Sequence, residues 1–564
     1  MLYNSNLIGD YMIKKNQISF MKIEKLKTKQ NKIKIIGKFS YNDNLKTLEL
    51  LCIGRKQKNV YFTDKVNWRK TSQEKTSYSF IINLDFREIN NGQLWIEDIY
   101  DLYFKINNDE TKLIRLGNPS FKARNFFTQT IYRSNDKILI ANPYYTFKKG
   151  NLSIEIELFP LDLFRYLKKV LKWAWLIRWL LFPKNIWIIG EMPYKAQDTG
   201  FAFFKYIRKK YPEQNAFYIV DFRFPESNRV RELGNAIDFR SKKHILYIIG
   251  ARRIISSHHP DYLYPSKMKS LKKKIKAKKI FLQHGVLGVK NMAGNYGNFS
   301  NGFYVDEFIA SSDREKQIIV KDLHYSSKNV HVTGLSRFDE LFNNNTKVKR
   351  QLLIIPTWRD WITSNQNFME TEYYNRYAQL ISSERLLNLA KKYDFSIVFC
   401  LHPNMQMYTH LFQRFQNNFV KIVKQGEISV QQLLKESCLM ITDYSSVAFD
   451  FSFLNKPIIY YQFDREKFLG KKGSHIDLDN ELPGKICYDL TNLLNLVEEY
   501  CINNFKNPIK YKKRSEKFIK YKDQSSCDRI YKVVKNAKKN RYRFKNILFI
   551  KVTLKLFEKL SSAI

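Results

Sequence analysis

The sequence predicts an α/β protein: two facing Rossmann-like domains preceded by a small β-rich sandwich domain. Three observations carry that reading. From about residue 184 onward, short apolar runs alternate with helix-patterned ones. Strands buried on both faces look like this, which implies parallel sheets covered by helices. The alternation starts a second time near residue 350, so there are two such sheets. Residues of about 30–157 instead hold strand-like runs separated by polar turns, the pattern of a sandwich.

In chain order, the β-rich accessory domain spans 1–157, with KIKIIGKFSY, TLELLCIGR, SYSFIINLDF, DLYFKIN, KILIANPYY and LSIEIELF as its runs. Residues 158–183 form a basic amphipathic linker helix. Asp162, Arg165, Lys169 and Lys172 recur at steps of three and four, with Leu163, Phe164, Leu167, Val170, Leu171 and Ala174 largely opposite. Such a helix either lies in a membrane interface or packs on the next domain as a connector. The first Rossmann-like domain spans 184–345, with strands in NIWIIGE, NAFYIVDF, RRIISSHH and KKIFLQHG. The second spans 346–535, with strands in RQLLIIPTWRD, FSIVFCLHP, CLMITDYSS and KPIIYYQF. The tail, 536–564, mixes basic and apolar residues and suits either a second membrane-surface element or a capping helix.

Composition narrows the function. A chain of 564 residues exceeds one core at about 150 residues per domain. Hydrophobic content of 44% and aromatic content of 15% exclude a disordered chain. A net charge of +44 favours an anionic partner: nucleic acid, acidic lipid or a polyanionic substrate. No nucleic-acid module is recognisable. None of the six cysteines forms a C-x-x-C pair, so a reducing compartment is expected and a zinc site is not. The N-terminus lacks the apolar centre of a secretory signal. The most apolar stretch, 170–183, is interrupted by Lys172 and Arg178 and is shorter than the roughly 20 residues of a span. No transmembrane helix is expected.

Four predicted strand ends carry polar residues, at the place where parallel sheets bind ligands. In Gln283-His284-Gly285, a histidine able to accept a proton precedes a glycine that permits close approach. In Leu401-His402-Pro403, the histidine can donate to a phosphate oxygen. In Asp443-Tyr444-Ser445-Ser446, two hydroxyls open a helix and make an anion site. In IIPTWRD, Thr357 and Arg359 follow a strand, and Arg359 could clamp a phosphate bidentately or form a surface pair with Asp360. No Walker lysine loop, G-x-G-x-x-G fingerprint or histidine metal cluster is present. Asp477-Leu478-Asp479 has metal-binding spacing but lies in a loop-like stretch, and no metal is expected.

Together QHGVLGVK, VTGLSRFDEL, IIPTWRD, LHP, ITDYSSVAFDFSFLNKPIIYYQFDREKF, LPG and YKDQSSCDRI, in this order, resemble the CDP-glycerol glycerophosphotransferase family of teichoic acid polymerases and primases. GEMPYKAQDTGFAFFKYIRKKYP is similar to the family's opening segment. The resemblance covers about 184–535. It implies a GT-B-type fold with an acceptor domain followed by a CDP-donor domain. It also implies transfer of glycerol phosphate from CDP-glycerol to a polymer hydroxyl at the cytoplasmic membrane face of a bacterium. CDP-ribitol as donor, or a CMP-sialic acid or other GT-B glycosyltransferase, is the alternative. By motif match, His284 would be the general base, His402 a phosphate ligand, and Ser445 and Ser446 the diphosphate site. The expected partners are a CDP-activated polyol, a lipid-linked phosphopolyol or glycan acceptor and an anionic membrane surface, with no cofactor and with self-association left open. One departure stands out. Family members often carry a tryptophan before the His-Gly and Thr-Pro after it, where this chain has Gln283 and Val286-Leu287.

Overall fold

The computed structural model describes residues 20–537, apart from 56–59, 64–65, 72–76, 88–94, 135, 147–149, 299, 301, 344–345, 363–366 and 425. The basic tail read from the sequence therefore lies almost wholly outside the described residues.

Two antiparallel sheets form the N-terminal part. One has four strands, Phe20–Lys29, Lys32–Ser40, Ser77–Asp85 and Val66–Lys70, in that spatial order. The other has seven and includes Leu48–Gly54, Ile99–Ile106, Lys137–Tyr145 and Leu152–Pro160. Alternate residues of both enter one core, as Ile33, Ile35, Phe80 and Ile82 meet Leu50, Leu102 and Phe104. The six sequence runs missed the strand Phe20–Lys29. A bulge between Ile23 and Lys25 puts its buried residues, Ile23 and Leu26, three apart rather than two, which hides the alternation.

The linker is two helices rather than one: Leu161–Lys172 and Ala174–Leu181, interrupted at Trp173. Phe164, Leu167, Val170, Leu171 and Ala174 are buried against Ile245, Ile248 and Ile249 of the helix Lys242–Gly250. The apolar stripe is thus covered by protein, as the connector reading expects.

Two parallel sheets follow. The first contains, in spatial order, Ala236–Asp238, Ala216–Val220, Trp187–Gly190, Arg253–Ser256, Lys278–Phe281, Glu307–Ala310 and Val330–Val332. The second contains Val420–Val423, Ser396–Cys400, Gln351–Ile354, Leu439–Thr442, Ile458–Tyr461 and Lys485–Cys487. In each, the chain runs outward from the first strand through two neighbours and then restarts on its other side. The order is 3-2-1-4-5-6-7 in the first sheet and 3-2-1-4-5-6 in the second, and it creates a switch point beside the first strand, where ligand crevices form. One hydrophobic core joins the two sheets and the segments that follow their strands, with Phe281 and Val286 from the first half and Met440 and Phe449 from the second.

The last described helix, Ser526–Asn536, returns to the first sheet. Asp339 accepts from the backbone N–H groups of Ser526 and Cys527 at 2.7 and 2.9 Å. Arg253 binds its C-terminal carbonyls, Lys535 O at 2.8 Å among them. The motifs VTGLSRFDEL and YKDQSSCDRI are therefore two sides of one contact. No helix among the described residues is long and apolar enough to cross a membrane.

Candidate active site

The site lies where the C-terminal strand ends of the two sheets meet. Leu282 follows strand Lys278–Phe281, and Gln283 then adopts a left-handed φ of 61°. Gln283 is 1% exposed and turns inward. Its Nε2 donates to Ile309 O at 2.6 Å and to Glu315 at 3.2 Å. Glu315 also accepts from Leu287 N and Ser311 N, both at 2.6 Å. Val286 and Leu287 are buried. The residues that depart from the family pattern thus face the interior and hold the turn, rather than lining the cleft.

This turn presents His284. Its Nδ1 lies 3.3 Å from Ser257 O. A carbonyl only accepts, so Nδ1 carries the hydrogen and Nε2 keeps its lone pair. Burial lowers the His284 pKa; the nearby Asp198 raises it, and Arg337 and Lys195 lower it further. His402, on the loop after Ser396–Cys400, shows the opposite tautomer. Its Nδ1 accepts from Asn404 N at 3.1 Å, which leaves Nε2–H as donor. Burial and Lys195 push its pKa down to about 4 against the pull of Asp443. One neutral imidazole therefore offers a base and the other a hydrogen-bond donor.

Gly285 faces Ser446. A β-carbon on Gly285 would lie 2.5 Å from Ser446 Oγ and 3.0 Å from its Cβ. Ser445 and Ser446 are half-buried after strand Leu439–Thr442. Ser446 heads the helix Val447–Phe453 and makes no side-chain capping bond there.

Arg337 ties the halves together. Its Nη1 donates to Asp198 at 2.9 Å and to His284 O at 2.8 Å, while Nε donates to Asp450 at 2.8 Å. Burial opposes its charge, but the two carboxylates outweigh that and hold it protonated. Asp198 also caps helix Thr199–Lys210 through Thr199 N at 2.7 Å. Beside it Glu191, with 0% exposure, accepts from Asp198 N and Phe201 N, both at 2.9 Å. Burial and the Asp198 carboxylate raise its pKa to about 8.

Two expected phosphate ligands are elsewhere. Arg359 is 1% exposed. Its Nε donates to Asp464 at 2.6 Å, Nη2 to Asp443 at 2.7 Å, and Nη1 to Thr357 O at 2.6 Å. It is neither a phosphate clamp nor a surface partner of Asp360; it braces the loops from inside. Asp443 is 0% exposed and also accepts from Thr357 N at 2.9 Å and Tyr377 OH at 3.0 Å. Both calls are corrected by one cause: each charge meets its counter-charge across adjacent strands. Thr357 stays at the site, half-buried, with a buried Oγ1 that has no partner among the described residues. Asp477 caps helix Leu478–Glu481, and Asp479 pairs with Arg465 at 2.7 Å. Among the described residues no group of three or more His, Cys, Asp or Glu could hold a metal ion.

Sequence reasoning missed three residues here. His258 stacks on His284 with centroids 4.6 Å apart and planes at 12°, and its Nδ1 lies 2.9 Å from Ser257 Oγ. The signal was visible: SSHHP ends strand Arg253–Ser256, the neighbour of the strand that delivers His284. Lys195 is close enough to lower the pKa values of His258, His284 and His402, and it makes no ion pair among the described residues. Arg337 lies within a motif already noted, with no local sign of its reach.

Paired parallel sheets with a cleft of histidines, serines and cations define a class of α/β protein suited to anionic substrates. Comparison with known proteins narrows this. The family profile described as CDP-Glycerol:Poly(glycerophosphate) glycerophosphotransferase matches residues 176–536, and the chain belongs to that family. A second profile, TarS beta-glycosyltransferase C-terminal domain 1, matches residues 14–156. The chain is 30% identical over 378 residues to the minor teichoic acid biosynthesis protein GgaB of Bacillus subtilis, covering 64% of this chain and 40% of that one. It is 29% identical over 195 residues to the teichoic acid glycerol-phosphate primase of Bacillus subtilis, covering 34% and 45%. The match thus spans less than half the length of these two relatives. The solved wall teichoic acid polymerase TagF aligns with a TM-score of 0.48 and 18% identity, over 67% of this chain and 98% of that chain.

Proposed function

We propose that this chain is a GT-B-type transferase that moves glycerol phosphate from CDP-glycerol to a hydroxyl of a membrane-linked teichoic-acid-like or capsular polymer. The observation that carries the reading is the pair of opposite tautomers, His284 with a free Nε2 lone pair and His402 with a free Nε2–H. The acceptor hydroxyl oxygen attacks the β-phosphorus, and its proton passes to His284 Nε2. The bond from the β-phosphorus to the bridging oxygen breaks, and CMP leaves with that oxygen. His402, Ser445, Ser446 and the unpartnered Thr357 hydroxyl donate to the diphosphate oxygens, and Lys195 adds a cation. Positioning and charge stabilisation supply most of the rate in such transfers. In this reading no cofactor takes part.

A donor panel tests it. Purified protein is offered CDP-glycerol, CDP-ribitol and CMP-sialic acid with a phosphopolyol acceptor, and CMP release is followed. CDP-glycerol is expected to react and His284→Ala to abolish the release while the fold is kept. Ribitol is a real competitor, because the relatives include ribitol-phosphate polymerases of Staphylococcus aureus. Turnover only with the sialic acid donor, or an active His284→Ala protein, would sink the proposal.

A further inference from the structure

The larger accessory sheet has a face that the sandwich core does not use. Its strands Leu48–Gly54, Ile99–Ile106, Lys137–Tyr145 and Leu152–Pro160 send alternate side chains away from that core. At one end of this outer face, Ile138, Ile140 and Phe159 pack with the linker helices. Next to them Glu157 accepts from Ser266 Oγ and, at 2.8 Å, from Lys267 N. Beyond Glu157 the outward residues are polar and aromatic. Arg55, exposed after the first of these strands, and Arg115, which pairs with Tyr103 in the ladder, share one carboxylate. Both donate to Asp101, Arg55 Nη2 at 2.9 Å, and both donate to Ser153 Oγ, at 3.3 and 2.9 Å. The Arg115 guanidinium lies 4.9 Å from the Tyr103 ring centroid. Two cations against one aspartate leave an excess of positive charge. Arg55 Nη1 has no hydrogen-bond partner among the described residues.

From this network a row of tyrosines leads to the cleft. Burial raises the Tyr144 pKa most, and Arg55 and Glu155 both stand near enough to shift it. Tyr262, 39% exposed, comes next: burial raises its pKa, and Tyr194, Glu155, Asp261 and Tyr144 add to the rise. It lies on the turn that follows His258 and His259, with Lys267 Nζ 4.9 Å from its ring centroid. Burial and then Tyr262 raise the pKa of Tyr296, whose ring centroid is 6.0 Å from that of His284. Tyr194, 42% exposed, precedes Lys195, the cation beside the three histidines.

Such a row offers ring faces, hydroxyls and cations in turn. Tyrosine gives an apolar face with a polar tip at low entropic cost. The unused fork of an arginine matches a phosphate. A chain of sugar rings and phosphates uses all of these groups. A neutral glycan would leave the arginines unmatched, and a polyol phosphate would leave the rings bare. We infer that Arg55, Tyr103, Arg115 and Tyr144, continued by Tyr262 and Tyr194, form a binding track for the acceptor polymer, and that the chain it fits is one of sugar rings joined by phosphodiesters. The inference rests on the reading above in taking the cleft to receive a polymer hydroxyl. The first four residues lie outside the family match at 176–536, so membership of the family assigns them no role. A long acceptor held along the track keeps its end at a high effective concentration beside His284.

Calorimetric titration of the full chain, with no donor present, tests it. The ligands are a short oligomer of glucose units joined by phosphodiesters, a neutral glucan of the same length and an oligo(glycerol phosphate) with as many phosphates. The phosphodiester glycan is expected to bind most tightly, and less tightly as salt rises. Arg55→Gln is expected to weaken both phosphate-bearing ligands about tenfold and to leave the neutral glucan unchanged. Tyr262→Ala is expected to weaken both glycans about tenfold and to leave the oligo(glycerol phosphate) unchanged. Tyr262→Phe keeps the ring and should bind the glycans nearly as wild type does, and an unchanged Tm checks the fold of each variant. The inference is overturned if the three ligands bind alike, if none binds, or if either Arg55→Gln or Tyr262→Ala binds every ligand as wild type does. It is equally overturned if Arg55→Gln lowers the mass of the particle in solution and not its affinity for ligand, since the face would then join two copies of the chain. Because the titration contains no donor, its failure leaves the donor assignment intact, and failure of the donor panel leaves the track intact.

Discussion

Gly285 and Ser446 approach so closely that no β-carbon fits between them: one built on Gly285 would lie 2.5 Å from Ser446 Oγ. This contact joins the strand end that carries His284 to the strand end that carries the serines. Gly285→Ala is therefore expected to push the two apart. Stability should fall by about 1–3 kcal/mol, the usual cost of overpacking. CMP release should fall about a hundredfold, because a shift of about 1 Å in reacting groups costs that much. Thermal melts and initial rates measured together check both. Near-wild-type turnover would show that the contact does not set the reacting geometry.

The histidines predict the pH profile. A base must be neutral, and burial, Arg337 and Lys195 lower the His284 pKa below its ordinary value. Activity should persist as pH falls to about 6.5 and decline only below it. An acid limb centred above neutrality would contradict the assignment.

Stability should follow the same sign. His244 is fully buried between Arg240 N and Leu263 O, at 2.9 Å from each, and burial pushes its pKa down to about 4. A folded pKa below the unfolded value means that the stability is present above about pH 6.5 and is lost as pH falls toward 4. For His244 this amounts to roughly 3 kcal/mol. His402, also lowered to about 4, adds to the loss. Urea unfolding across this range measures it, and His244→Gln should flatten the dependence.

Arg359 separates bracing from binding. A phosphate clamp would raise the donor KM when removed and leave the fold untouched. The observed pairs with Asp443 and Asp464 predict the reverse for Arg359→Met: two buried carboxylates lose their cation, at about 3–5 kcal/mol. A stable variant with a raised donor KM would restore the clamp.

Arg337 joins three chain segments at one guanidinium. Arg337→Lys keeps the charge but cannot bond Asp198, Asp450 and His284 O together. The expected loss falls on kcat more than on KM, because the group holding His284 in place is altered rather than a substrate contact. A change confined to KM would show that Arg337 contacts substrate instead.

Much of the fold was legible from local pattern. Buried strands such as NAFYIVDF and CLMITDYSS are uniformly apolar and short, and polar residues appear where they end. Less legible were the brief strands Ala236–Asp238, Val330–Val332 and Lys485–Cys487, at sheet edges where three residues leave too short a pattern to read. The helix break at Trp173 was also hidden, since the apolar spacing continues through it.

The residues themselves determined which chemistry is available: two histidines, two serines and a glycine at strand ends, in an order that resembles one family. Tertiary structure alone decided which of the polar neighbours face the cleft. Arg359 and Asp443 read as ligands but neutralise each other inside; Gln283, read only as a departure from the family pattern, anchors to Glu315. His258 and Lys195, given no role from the sequence, stand beside the histidines of the site. A charge or amide becomes a brace or a ligand according to whether a partner is supplied nearby, and here the partners are Asp443, 84 residues from Arg359, and Glu315, 32 from Gln283. Periodicity in the chain reports burial along one strand; it carries no record of which distant group the fold will set opposite.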